Sequence, residues 1–310
     1  MKWLITGGSG FTGRFLIPAI HRRFKGDEIL VLDLEPPSFR FFSRCRFQAI
    51  DLLDEKRITN IIIEEKPDRI IHLAGLMRAE NPLFMVKINV ITCGILLEAV
   101  VENEIPIDGF LIIGSSSQYG QADPRAPPTE KDACIPLSFY GYSKLLQEQL
   151  GMQYYQRYNL PVIFVRPANL LGPKMSSSFV VPRILTQLIE MINIPLSAKK
   201  QIHLFHTKAG RDFIDVRDAV EAYIQLFDFP KTRGEIFNIG TNRVILLEEV
   251  IDQAKKRLGI KDLEITEETP RTGFDLHLTD SQKIRSFIRW QPIIAIETTL
   301  NDMIESYIRI

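Results

Sequence analysis

Cysteine is scarce in this chain. Its three residues, Cys45, Cys93 and Cys134, form no C-x-x-C pair and no even-numbered set. Neither a disulfide framework nor a thiolate metal site is written in that spacing. Reduced, buried thiols are the expectation, and with them a cytoplasmic protein. An excess of one charge is missing too: 38 Lys+Arg balance 38 Asp+Glu. That excludes the clustered positive charge of a polyanion-binding surface, so nucleic acid is not an expected partner. The local run His21–Lys25 (HRRFK) reads as the solvated end of a helix, complementing its dipole. There is no internal repeat and no low-complexity tract. No apolar run reaches the ~18 residues of a membrane span, and with a strand pattern starting almost at Met1 no leader segment is expected. No membrane partner is expected.

What is present is an ordinary globular composition, 45% apolar and 25% charged over 310 residues, enough for one large or two modest domains. Strand patterns at Lys2–Thr6, Glu28–Asp33, Phe47–Ile50, Arg69–Leu73, Phe110–Gly114 and Val162–Arg166 alternate with helical patterns at Thr12–Phe24, Glu55–Glu65, Leu83–Asn103 and Tyr140–Tyr158. Such alternation predicts βαβ units and an α/β fold with a doubly wound parallel sheet of the Rossmann kind. Ligands bind such sheets at the carboxyl ends of their strands. After Arg166 the rhythm breaks. Pro167–Ser178 reads as loop, with a helix at Val181–Met191, a strand near Ile202–Phe205, another at Glu235–Ile239 and a helix at Leu247–Leu258. The expected organisation is a dinucleotide-binding domain over 1–166, completed by about 210–258. A smaller α/β substrate-binding domain, 167–209 and 259–310, is interleaved with it.

The glycines of Thr6–Gly13 (TGGSGFTG) fit two templates. Gly8, Gly10 and Gly13 spell G-x-G-x-x-G, and Gly7, Gly10 and Gly13 spell G-x-x-G-x-x-G. Either lies between a strand and a helix, where a tight turn lets the backbone approach a pyrophosphate at the helix N-terminus. Asp33 ends the second strand 20 residues past Gly13, placed to bond a ribose diol. A carboxylate there repels a 2′-phosphate, so NAD(H) is favoured, with NADP(H) kept open by Arg40 and Arg44. Asp51-Leu52 follows the third strand, within reach of an adenine amine. His72-Leu73-Ala74-Gly75 follows the fourth, with small residues where the backbone must pass under a cofactor.

Tyr140 and Lys144 in YGYSK stand four residues apart on one face of a helix. An ammonium near a phenol favours the phenolate and lowers its pKa from ~10, so this pair is expected to move a proton while hydride moves at nicotinamide. Ser115 heads SSSQYG (Ser115–Gly120) after a buried strand, where it could bond the same substrate oxygen. His203 and His206 have no further ligands in their neighbourhood, so no metal is expected. Ser176–Ser178 read as a lip of the substrate cleft, and Arg78 as a solvated or phosphate-reaching side chain.

These stretches, with Asn89-Val90, Arg166–Pro173 (RPANLLGP), Arg211–Asp218 (RDFIDVRD), Phe237–Gly240 and Pro270-Arg271, Lys283 and Trp290, occur in the order of the extended short-chain dehydrogenase/reductase (NAD-dependent epimerase/dehydratase) family, which the chain resembles over nearly its whole length. Within it, Phe179–Pro182 (FVVP), the 210–223 segment and the RPANLLGP loop look most like GDP-4-keto-6-deoxy-mannose reductases. The resemblance implies Ser115, Tyr140 and Lys144 as catalytic residues. It implies Gly7, Gly10, Phe11, Gly13, Asp33, Asp51, Leu52, Leu73, Ala74, Tyr140, Lys144 and Pro167 as cofactor-binding. Ser116, Asn169, Val180, Arg211 and Arg271 are implied to hold a nucleotide-sugar, the arginines by charge-assisted bonds to its diphosphate. Family 4,6-dehydratases carry acidic residues directly after the catalytic Ser/Thr. Ser116 and Ser117 stand here, leaving no evident acid or base for eliminating water. The reductases often show an acidic pair before the YG, which Ser117-Gln118 does not supply.

The expected activity is therefore reduction of the 4-keto group of a nucleotide-linked 4-keto-6-deoxyhexose, GDP-linked by preference. A nucleotide-sugar 4-epimerase with tightly held NAD is the alternative, and a silent dinucleotide sensor a third reading that intact Tyr140 and Lys144 argue against. In family members the two long helices pair into an intersubunit bundle, so a homodimer through 83–103 and 140–158 is expected.

Overall fold

Trp3, Leu4 and Ile5 have no exposed surface, and the strand they form lies inside a seven-stranded sheet. The computed structural model describes residues 1–308 except 41, 122, 124, 194–200, 205–208 and 268–275. The first half runs β1 (Lys2–Thr6), α1 (Gly13–Arg23), β2 (Glu28–Asp33), β3 (Cys45–Ala49), α2 (Glu55–Glu65), β4 (Arg69–His72), α3 (Pro82–Val86), a π-helical turn (Lys87–Ile91), α4 (Thr92–Glu102), β5 (Gly109–Ile113), α5 (Phe139–Tyr158) and β6 (Val162–Pro167). It continues through β7 (Asn169–Leu171), α6 (Val180–Glu190), β8 (Gln201–Leu204), β9 (Gly210–Asp215), α7 (Val216–Gln225), β10 (Ile236–Ile239), β11 (Val244–Leu246), α8 (Leu247–Leu258), β12 (Glu264–Glu267), β13 (Leu276–His277), α9 (Gln282–Ile288) and α10 (Ile296–Ile308).

The main sheet has the order β10-β6-β5-β4-β1-β2-β3, and every neighbouring pair is parallel. This is the Rossmann arrangement of an α/β fold, and its order reverses between β1 and β4, which makes that gap the ligand crevice. Parallel strands buried on both faces need near-continuous apolar runs, which explains EILVLD and VIFVRP. Leu16, Ile17 and Ile20 of α1 pack with Ala219, Val220 and Tyr223 of α7 on one face. Ile58 and Ile62 of α2 pack with Leu96, Leu97 and Val100 of α4 on the other. A smaller sheet, β11-β9-β13 with β7 also on β9, and the β8–β12 ribbon share a third core with α6, α8 and α10.

Four expectations are corrected. The segment read as loop after Arg166 contains β7, which pairs in parallel with Phe213–Asp215, a partner too distant in sequence for local composition to reveal. The helix expected over 83–103 is broken by the π turn, which turns Asn89 fully inward. That helix, Pro82–Glu102, is also long and apolar enough to span a membrane, at 21 residues and mean hydropathy 1.9, with half of its apolar window buried. It packs against α2 and α5, and Asn89 and Thr92 are buried polar groups within it. Finally, the cysteines are free, but only Cys93 is buried; Cys45 and Cys134 are partly exposed.

Helix α5 inverts the usual pattern of a surface helix. Ser143, Lys144, Gln147, Glu148 and Gly151 face inward, while Phe139, Tyr142 and Leu146 are exposed. A Cβ on Gly151 would come within 2.4 Å of Ile112, so glycine lets this polar face press directly on β5.

Candidate active site

The crevice at the β1/β4 gap is a cavity of about 610 Å³. Its floor begins at Gly7, whose φ of +68° is left-handed and whose added Cβ would lie 2.6 Å from the Ala74 backbone. No other residue type suits both constraints, so the loop brings β1 and β4 together at their ends. Thr6 Oγ1 and His72 Nδ1 are 2.7 Å apart across that same gap. Gly13, the first residue of α1, packs so tightly on the loop that a Cβ would meet the Gly8 carbonyl oxygen at 2.0 Å. Gly7, Gly10 and Phe11 line the cavity, whereas Gly13 shapes the loop from behind it.

Asp33 also lines the cavity, and its carboxylate is fixed by the Ser9 N–H at 3.0 Å and the Leu34 N–H at 2.8 Å. Both bonds leave lone pairs free to accept from a diol. Of the basic residues weighed beside it, Arg40 is exposed and Arg44 donates to the Gly26 carbonyl at 2.9 Å. A third guanidinium, that of Arg14, donates to Ser38 Oγ at 2.7 Å and lies over Phe39. Asp51, Leu52, Leu73, Ala74 and Pro167 line the same cavity. A glycine cradle, a fixed carboxylate and a helix start are the donor set a dinucleotide requires, and the residues present fit it.

On the opposite wall stand Ser115, Ser116, Ser117, Tyr140 and Lys144, with Asn169 and Val180 beyond them. Ser138 caps α5 by accepting the Gly141 N–H at 3.1 Å, which sets Tyr140 in the helix's first turn. The Tyr140 hydroxyl lies near that of Ser115; burial raises its pKa, and the Ser115 hydroxyl pulls the other way. Lys144 lies one turn deeper, its Nζ donating to the Ile113 carbonyl and to Gln147 Oε1, both at 2.9 Å. Burial lowers its pKa to about 8. The Tyr140 pKa is raised, against the lowering by Lys144 that the Tyr140–Lys144 spacing predicts. The ammonium is turned onto Ile113 and Gln147, so desolvation of the phenol dominates.

Asn89 holds this wall in register. Its amide accepts the Leu76 N–H at 2.6 Å, donates to the Leu76 carbonyl at 2.9 Å and donates to Ser143 Oγ at 2.8 Å. Ser143 in turn donates to the Tyr140 carbonyl at 2.8 Å. Behind Lys144, burial and the nearby ammonium push His72 down to about 3, and its Nε2 is buried without a hydrogen-bond partner.

Other expected residues fall elsewhere. Arg211, half-buried on β9, does not line the cavity, and one of its donors meets the Gly210 carbonyl at 2.9 Å. His206, Pro270 and Arg271 lie outside the described residues. His203 is exposed on β8, and Arg78 is exposed beside the cleft. Ser176–Ser178 are exposed next to Met175 and Phe179, which line the cavity. Among the described residues no three His, Cys, Asp or Glu side chains cluster as metal ligands. Gln118 and Gln147 were missed. For Gln118 the signal was available, because Ser115-x-x-Gln118 is a capping-box spacing.

Comparison with known proteins agrees with this geometry. The family described as NAD dependent epimerase/dehydratase matches residues 3–240. The dTDP-D-glucose 4,6-dehydratase of Dictyostelium discoideum is 29% identical over 84% of this chain, which spans 62% of that relative's length. The GDP-6-deoxy-D-mannose reductase of Pseudomonas aeruginosa is 26% identical over 99% of this chain and 97% of its own. The solved structure of RMD from Pseudomonas aeruginosa complexed with NADPH superposes with a TM-score of 0.86 at 25% identity, covering all of both chains.

Proposed function

The chain belongs to the NAD-dependent epimerase/dehydratase family, whose members act on nucleotide-sugars with a nicotinamide dinucleotide, and within it we propose that this enzyme reduces the 4-keto group of a nucleotide-linked 4-keto-6-deoxyhexose, GDP-linked by preference. Ser115, Tyr140 and Lys144 form the catalytic set of this reading. The observation that carries it is Tyr140 facing Ser115 on one cavity wall with Ser116 and Ser117, where a dehydratase needs carboxylates. Among the described residues the carboxylates lining the cavity are Asp33 and Asp51, both on the cofactor side.

The dinucleotide supplies the hydride. Gly7, Gly10, Phe11, Asp33, Asp51, Leu52, Leu73, Ala74 and Pro167 would hold it, and Lys144 would bond its ribose. Tyr140 gives its proton to the C4 oxygen, and Ser115 orients that oxygen. A raised pKa suits this direction, because burial keeps the phenol protonated until negative charge develops on the substrate. Ser116, Asn169 and Val180, which line the cavity, would hold the nucleotide-sugar. The Asp33 carboxylate favours NADH over NADPH; Arg14 is the group through which a 2′-phosphate could still be accepted. The exposed apolar residues of α3, the π turn and α5, Leu83, Phe84, Ile91, Phe139, Tyr142 and Leu146, support a homodimer through these helices. Free thiols support a cytoplasmic location.

The test is consumption of NADH or NADPH with GDP-4-keto-6-deoxymannose, compared between the wild type and Tyr140→Phe. Positioned proton transfer contributes ~10²–10⁴-fold, so the variant loses that much in kcat and keeps cofactor affinity. Near-normal turnover by Tyr140→Phe sinks the mechanism. Interconversion of C4 epimers by enzyme that purifies with NAD, with none added, replaces the reductase by the 4-epimerase reading.

A further inference from the structure

We propose that Gln118 is a positioning residue that locks the Ser115 turn onto helix α5, so that the hydroxyls of Ser115 and Tyr140 are held in register by one buried amide. The proposal rests on the reading of Ser115 and Tyr140 as catalytic residues.

Gln118 ends the 3₁₀ turn Ser116–Gln118 and closes a capping box with Ser115. Such boxes satisfy free N–H groups at the start of a helix. Here the side chain has no exposed surface, and its two ends bond to different elements. Oε1 accepts the Ser115 N–H at 2.8 Å, and Nε2 donates to Glu148 Oε2 at 3.0 Å. Glu148 lies on α5, one turn beyond Lys144 and two turns beyond Tyr140. A single amide therefore bridges the two elements that carry the catalytic groups.

The surroundings fix which way that amide points. Glu148 is held by Arg166 of β6 through Nη2 at 2.6 Å and Nε at 2.8 Å. Arg166 Nη1 donates to the Tyr119 hydroxyl at 2.7 Å, which donates to Asn238 Oδ1 at 2.7 Å. Flipping Gln118 would set its oxygen against a carboxylate and its NH₂ against an N–H, so only one orientation satisfies both neighbours. The space it occupies exists because residue 114 is glycine. A Cβ there would lie 2.4 Å from Gln118 Oε1. With its N–H held from behind, Ser115 keeps the extended backbone, φ −164° and ψ 147°, from which its Oγ meets Tyr140.

Gln118→Glu and Gln118→Leu test this. The charged and titratable groups around position 118 are Glu148 of α5, Arg166 of β6, Tyr119 on the same turn, and Glu130 and Cys134 of the following loop. In Gln118→Glu the protonated carboxyl reproduces both bonds of the amide, its O–H donating to Glu148 and its carbonyl accepting the Ser115 N–H. Once ionised, the new carboxylate offers only acceptors to Glu148 and is pushed off that contact, which breaks the bridge. Gln118→Glu should therefore approach the wild-type kcat at acid pH and fall by about tenfold per pH unit as it ionises. It should level near 10²-fold down, the cost of about 1 Å of misplacement, with KM and cofactor Kd nearly unchanged. Gln118→Leu should stay low at every pH. Native-state exchange of the Ser115 amide should lose protection in Gln118→Leu, and in Gln118→Glu only at high pH. A wild-type kcat in Gln118→Leu, a wild-type pH profile in Gln118→Glu, or unchanged Ser115 protection overturns the proposal. The exchange measurement needs no substrate. If wild-type enzyme transfers no hydride, the catalytic reading fails by itself, and exchange still decides whether Gln118 anchors Ser115.

Discussion

Replacing Glu148 by Gln removes one charge from an ion pair whose side chains are only 6% and 4% exposed. Arg166 is then left with a guanidinium whose charge burial opposes and whose main offset, Glu148, has gone. The Gln amide can accept at one of the two positions where Arg166 now donates, at 2.6 and 2.8 Å. Its NH₂ faces a donor of Arg166 in either orientation, and in one of them the Gln118 NH₂ as well. Breaking a buried pair in this way costs about 3–5 kcal/mol. With an unfolding entropy of about 2.1 cal/mol/K per residue over 310 residues, melting should fall by roughly 5–8 °C. The pair Glu148→Leu with Arg166→Met removes both charges, and much of the loss should return. Calorimetric melting of the single and double variants decides the matter. A drop under about 2 °C for Glu148→Gln, or a double variant as unstable as its two singles combined, would show that the charge is not buried as described.

Three further outcomes are expected. Gly7→Ala should weaken cofactor binding at least tenfold and lower stability by about 1–2 kcal/mol for the left-handed backbone alone, since φ is +68° and the new Cβ meets Ala74; titration calorimetry with NADH checks it, and wild-type affinity refutes it. His72 titrates near 3 when folded against 6.5 as a free side chain. Between those values the unfolded chain binds the proton and the folded chain does not, so its contribution is lost as pH falls below 6.5, by about 1.4 kcal/mol per unit. His72→Gln should flatten that acid limb in denaturant titrations; an unchanged slope counts against it. Light scattering at micromolar concentration should give twice the 35.6 kDa chain mass, and Leu146→Glu with Phe139→Glu should give monomer; a wild-type monomer refutes the helix-pair interface.

The main sheet was legible because its physics is local. Strands buried on both faces must be apolar through their middles, and Ile29–Leu32, Ile70-Ile71 and Val162–Val165 are. The crossovers then leave little choice of topology. The smaller sheet was not legible for the opposite reason. β7 is three residues long, with nothing in Asn169–Leu171 to mark a strand until Phe213–Asp215 is placed beside it. The π turn is equally silent. KINVI reads as ordinary helix, and only the bonds from Asn89 to Leu76 and Ser143 give a reason for the extra residue.

At the site, motif reasoning reached most of the side chains that line the cavity, though also Arg211, which does not, and of those that hold them it reached Asn89 but not Gln118, Gln147 or Glu148. Spacing puts Tyr140 and Lys144 on one face of α5, but it cannot say where an ammonium points. Lys144 is satisfied by Ile113 and by Gln147, three residues further along the helix, so the expected lowering of the Tyr140 pKa gives way to desolvation. Gln147 carries no motif signature, because its function depends on what the neighbouring strand offers. The same holds for Glu148. From sequence it is one more acid on a polar helix; beside Arg166 it becomes the fixed point from which Gln118 and Ser115 are aligned. A substitution there would leave every recognised motif intact and still alter how the Ser115 turn is set against Tyr140.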